Sequence, residues 1–168
     1  MKKLLVSLFL FSLVGVINAQ GKLYLQNYSV YDLQMRLEAQ HITNCTPEII
    51  GSLSFPASTQ DIIENYNDSA PFAMSWGVLL PGASSAISQP VPGSGLLTTL
   101  SSITQWRYCW FKTFYAGTIT ATNDVDFTMA DPNNLPCSFT GTDYIDGNLT
   151  DAFWFTIPSM NATYLVIQ

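Results

Sequence analysis

Charge is what this sequence has least of. Only 11% of its 168 residues are Asp, Glu, Lys or Arg, less than half the ~25% of an ordinary domain. Basic residues are the scarcer sign, six against twelve acidic, and two of the six are Lys2 and Lys3. So acidic a chain repels phosphate backbones, which argues against nucleic acid as a partner. It gains nothing by charge from an anionic membrane surface either.

Histidine is nearly missing, His41 being the one copy. A Ser–His–Asp or Cys–His arrangement would need it as the base. Yet Gln40-His41-Ile42-Thr43 stands beside no nucleophile motif, and Ser84 and Ser94 lack the Gly-x-Ser-x-Gly spacing. His41 reads as a solvated loop residue. One His and three Cys also miss every zinc spacing. No Gly-rich loop leads from a strand into a helix to hold phosphate. Three glutamates, Glu38, Glu48 and Glu64, are all there is to supply a Glu pair for glycoside hydrolysis, and their context is undistinguished. The sequence points away from an enzyme.

Only one long apolar run exists, Leu4 to Val16, after Lys2-Lys3 and before Ile17-Asn18-Ala19-Gln20. A basic start, an apolar core and a small residue at the end describe a secretory signal peptide, residues 1–19, cleaved after Ala19. The run is shorter than the ~20 residues of a spanning helix, and no Cys follows it for a lipid anchor. The expectation is a single domain, residues 20–168, secreted or periplasmic, with no transmembrane segment in the mature chain. Three cysteines in an oxidising compartment make one disulfide and one leftover thiol, with three pairings open. Cys45 and Cys137 lie in turn-like sequence and are the favoured pair, whereas Cys109, among aromatics, reads as a buried free thiol.

Aromatic residues, by contrast, are plentiful. Gln105 to Thr120 is dense in aromatics and Thr, the composition of a strand. With period 2, Trp106, Tyr108, Trp110 and Phe114 share one face with Lys112, and Arg107, Cys109, Phe111, Thr113 and Tyr115 share the other. Both faces are largely apolar, so this is the expected central strand, covered on two sides. Tyr31, Leu33, Met35, Leu37 and Ala39 alternate with Asp32, Gln34, Arg36 and Glu38, a strand with one dry and one wet face. Further strands are expected at 23–25, 49–55, 72–80, 152–157 and 163–167. Residues 58–66 fit either a capped helical turn or a short strand. Gln89 to Ser102 reads as a flexible surface loop, and 123–147 as a long polar region with one short strand at 137–140. Short strands between turn signals point to an all-β, antiparallel β-sandwich, with a closed β-barrel as the alternative.

Two sets of residues are candidate sites. Trp106, Trp154 and Trp76, together with Trp110, offer ring faces on which a ligand such as a sugar stacks, against the competing reading of core packing. Asp124 and Asp126 with Asp131, and Asp143 and Asp146 with Asn148 and Asp151, place hard oxygens in loops. Neither set has calcium-loop spacing, but neighbouring loops of a sandwich can hold the ion between them, so structural calcium is the one cofactor to test for. Asn-x-Ser/Thr sequons at Asn27, Asn44, Asn67, Asn148 and Asn161 would mark surface positions in a eukaryotic source. Two functions remain. One is a non-catalytic binding module for a glycan, a lipid surface or a protein, using loops 89–102 and 123–147. The alternative is a structural or assembly subunit of an extracellular or envelope complex, a possible homo-oligomer.

Overall fold

The computed structural model describes residues 21–132, 137 and 140–168. The expected signal peptide lies outside the described residues, as does most of the strand expected at 137–140. Among the described residues eleven strands form two sheets packed face to face and not closed into a barrel. In chain order they are β1 (Lys22–Asn27), β2 (Tyr31–His41), β3 (Glu48–Phe55), β4 (Thr59–Ile63), β5 (Ser75–Leu79), β6 (Ile87–Pro90), β7 (Thr104–Tyr115), β8 (Phe127–Met129), β9 (Tyr144–Asp146), β10 (Asp151–Ile157) and β11 (Ala162–Ile167). The five-stranded sheet runs β4-β1-β11-β10-β9 and the six-stranded sheet β6-β5-β3-β2-β7-β8. Pairings between these strands are antiparallel except β1 with β11. The barrel alternative is set aside, and the antiparallel sandwich stands.

The alternation in β2 works as its pattern dictates. Leu33, Met35, Leu37 and Ala39 face inward and are buried, meeting Leu23, Leu25, Trp154, Leu165 and Ile167 from the other sheet. Leu33, Met35 and Leu37 each contribute about 1.5–3 kcal/mol by leaving water, and Ala39 less. Next to them Gly51 makes room for the Trp76 indole, whose Cε3 lies 2.5 Å from where a Cβ would stand.

Three expectations change. The strand from Gln105 ends at Tyr115, and its faces are not constant. Glu38 pairs with Tyr108 but Ala39 with Trp106, so Arg107 is an extra residue, a β-bulge. The bulge turns Trp106 into the core beside Cys109 and Phe111, and leaves Tyr108, Trp110, Lys112 and Phe114 on the outer face. Residues 58–66 resolve into β4, followed by a 3-10 turn at Tyr66–Ser69. The presumed loop 89–102 holds the end of β6 and a helix, α1 (Gly95–Leu100), capped by Ser94 Oγ and burying Leu97 and Leu100. Its two buried leucines, three apart, are too short a pattern to announce a helix.

Candidate functional site

The outer face of the six-stranded sheet steps down in side-chain size from β7 to β3. Register places Trp110 beside Arg36 and Arg36 beside Ser52, and in the next row Lys112 beside Gln34 and Gln34 beside Ser54. Large rings on β7 and small hydroxyls on β3 leave an open groove of about 550 Å3 between them, with Tyr108 and Trp110 as its wall. A second hollow of about 230 Å3 shares Gln34 and Ser54 and continues to Phe114 and Pro56. From Tyr108 to Phe114 the groove follows β7 for about 20 Å.

Its polar groups are held in place. Trp110 Nε1 donates to Asp126 Oδ1 at 3.2 Å, fixing the half-buried indole. Lys112 Nζ sits 5.9 Å from the Trp110 ring centroid and 5.2 Å from that of Phe114, within reach of both quadrupoles. At the Tyr108 end Glu38 is fully buried. One of its oxygens accepts from Gln40 Nε2 at 2.7 Å, and Oε2 has no hydrogen-bond partner among the described residues. Burial and the nearby Glu48 push the Glu38 carboxyl up to about 7, against the opposing pull of Arg36. Burial raises Glu48 as well, again opposed by Arg36. The groove therefore combines an aromatic wall, an amide, two hydroxyls and a guanidinium on one open surface, with a carboxyl behind it whose titration burial moves up toward neutral pH.

The tryptophans singled out in the sequence are elsewhere. Trp76, Trp106 and Trp154 are 0%, 3% and 1% exposed. Trp76, Trp106 and Tyr66 form a cluster with centroids 5.0 to 5.8 Å apart. Trp76 Nε1 donates to Ser69 Oγ and Trp106 Nε1 to the Gly21 carbonyl, while Trp154 Nε1 has no partner among the described residues. A ring so enclosed presents no face to a ligand, so these three are core. Trp110 is the indole that reaches the surface. No local signal distinguishes it from Trp106, because the bulge that separates them depends on pairing with β2.

The acidic loops do not gather either. Asp124 is buried, and its carboxylate accepts from the backbone N–H groups of Asn148, Leu149 and Thr150 and from Thr150 Oγ1. Burial pushes that carboxyl up, but these donors outweigh it and hold it below the ordinary range. Gly147 lies against the same carboxylate, whose Oδ2 would be 2.8 Å from an added Cβ. Asp124 thus clamps the 147–150 turn with no oxygen to spare for calcium. Asp126 serves Trp110, Asp143 accepts from Trp154 N through its backbone carbonyl, and Asp146 pairs in register with Asp151. Among the described residues no three Asp, Glu, His or Cys side chains come together to hold a metal ion.

Cys45 is joined to Cys137, and Cys109 is a buried free thiol whose pKa burial raises. His41 Nδ1 accepts from Thr43 N at 3.2 Å within its own turn. Of the sequons, Asn27 is fully buried and its amide donates to the carbonyls of Tyr31 and Pro56, so it is not a surface position. No family model matches the chain, and neither a curated protein nor a solved structure matches it.

Proposed function

We propose that this protein is a secreted or periplasmic, non-catalytic binding module whose groove on the six-stranded sheet takes a glycan chain. The observation that carries the reading is the oriented Trp110 indole above a floor of Gln34, Arg36, Ser52 and Ser54. A sugar ring has an apolar face and a rim of hydroxyls, and the groove supplies an aromatic surface beside donors and acceptors. The open shape suits a chain passing along β7 more than a small molecule enclosed on all sides. The Cys45–Cys137 bond supports an oxidising compartment, and no described helix is long and apolar enough to cross a membrane.

The test is a panel of soluble plant, algal and bacterial polysaccharides in affinity electrophoresis, followed by calorimetry on any that retard the protein. Trp110→Ala should weaken binding about thirtyfold, the loss typical of a central aromatic contact, and leave the unfolding midpoint nearly unchanged. Retardation by none of the panel, or binding indifferent to Trp110→Ala, sinks the reading. The alternative role, a structural or assembly subunit, draws on a different surface, the outer face of the five-stranded sheet.

A further inference from the structure

That outer face carries a row of stacked rings. Tyr24 on β1, Tyr164 on β11 and Phe155 on β10 are register partners, with centroids 4.5 and 5.0 Å apart and planes within 7° of parallel. Rings stacked this closely across strands stand on edge, so both faces of Tyr164 are already used. A sugar finds no open ring face at the centre of this ladder. What the ladder offers is a ridge of ring edges, shaped for another packed surface.

The neighbouring row is asymmetric about β11. Its outward residues run Gln60 on β4, Gln26 on β1, Val166 on β11, Phe153 on β10 and Tyr144 on β9. On one side of Val166 the Tyr144 and Phe153 rings, 5.0 Å apart, form a raised knob. On the other side Gln26 and Gln60 floor a hollow of about 400 Å3, lined also by Tyr24, Asp61 and Ile62. Knob and hollow lie at equal strand distances from β11.

We infer that this face is the interface of a homodimer, with the two-fold axis parallel to β11. A rotation of 180° about that axis lays β9 and β10 of one copy over β4 and β1 of the other. Each knob then enters the opposite hollow, and Tyr164 meets its counterpart on the axis, as an isologous contact requires. Charge fits the same operator. Apart from Asp61, which lines the hollow with its Oδ1 accepting from Ile62 N, the charges of the face lie at its ends, the Lys22–Glu64 ion pair at 2.5 Å and the register pair Asp146 and Asp151. The rotation keeps each end at its own level, so the Asp146–Asp151 end comes over the uncharged Tyr28 beyond β1, not over its own copy. Between the ends the rows just described are uncharged. Edge pairing is the poorer route to association. The edge strands are three to five residues long, β6 ends in Pro90, and Asp61 Oδ1 already occupies the Ile62 N–H of β4.

A face about 20 Å on a side is small for a stable interface, so the dimer is expected to be weak and to depend on concentration. The groove lies on the opposite sheet, so a dimer carries two grooves facing apart. On the glycan reading that makes it bivalent toward a polymer, but the dimer itself does not depend on that reading.

Sedimentation velocity of the purified protein from about 1 to 200 µM should show a monomer–dimer equilibrium. Tyr144→Ala removes the knob and Gln26→Trp fills the hollow. Each should weaken the dimer at least about tenfold while the unfolding midpoint stays within a few degrees of the parent. The two substitutions sit on different strands, so if one perturbs the fold the other decides. A protein monomeric throughout the range overturns the inference and leaves the face to another partner. A dimer that the folded variants do not weaken overturns it equally.

Discussion

Glu38 shows how one buried side chain sets a property that can be measured. With Oε2 unpartnered and the carboxyl pushed up to about 7, the folded protein keeps a proton that the unfolded chain releases near its ordinary value of 4.5. The stability this proton carries is fully present below about pH 4.5 and is lost as pH rises through about 7. Glu38→Gln keeps the shape and removes the titration. In urea unfolding the variant should gain on the parent by up to about 3 kcal/mol between pH 4.5 and 8. A constant difference across that range would show that Glu38 does not hold its proton in the fold. This residue was illegible in the sequence. It occupies a position in β2 whose alternation says solvent, and only the arrangement around Tyr108, Gln40 and Glu48 encloses it. The same blindness affected the indoles. Trp76 and Trp154 lie on strand faces that the alternation alone assigned to neither core nor ligand. Trp106 changed sides through a bulge that its own stretch does not reveal.

At the scale of elements, the strands with a clean two-residue period were legible to within a few residues, β2 best of all. Alternation fixes register there, since a slip by one would bury Asp32, Gln34, Arg36 and Glu38 together. The short elements were not. β8 and β9 are three residues each, and α1 buries only Leu97 and Leu100. Each is held by neighbours more than by its own pattern. Gly51 is the counterpart case, a residue whose role depends on what packs above it. The Trp76 ring occupies the space of a side chain, so Gly51→Ala should cost about 1–3 kcal/mol by overpacking. Denaturant titration tests this, and a neutral result would mean that the indole shifts freely, contrary to its enclosure by Tyr66 and Trp106.

For the molecule as a whole, the sandwich followed from strand length, turn chemistry and the lack of helical period. The order of strands did not. Nothing in Lys22–Asn27 or Ala162–Ile167 announces that they pair in parallel, because pairing is decided by which edges remain once the hairpins have formed. The disulfide was the most legible long-range contact. It ties Cys45 to Cys137 across 92 residues, next to Gln40, whose Oε1 accepts from Cys137 N. Replacing both cysteines by Ser should cost about 2–4 kcal/mol, mainly by freeing the unfolded chain. Equal stability of the double variant and the parent in thermal unfolding would contradict that.

The groove was missed because it is a property of three strands in register, large side chains beside small ones, and no single stretch contains it. It is also the claim on which the function rests, and the four indole N–H groups offer a direct test. In a two-dimensional 15N–1H spectrum, a polysaccharide that binds the protein should move the Trp110 indole resonance. Those of Trp76, Trp106 and Trp154, enclosed in the core, should stay in place. Movement of Trp110 alone would locate the glycan in the groove. An unmoved Trp110 resonance while the protein is saturated with ligand would contradict the account and place binding elsewhere on the molecule.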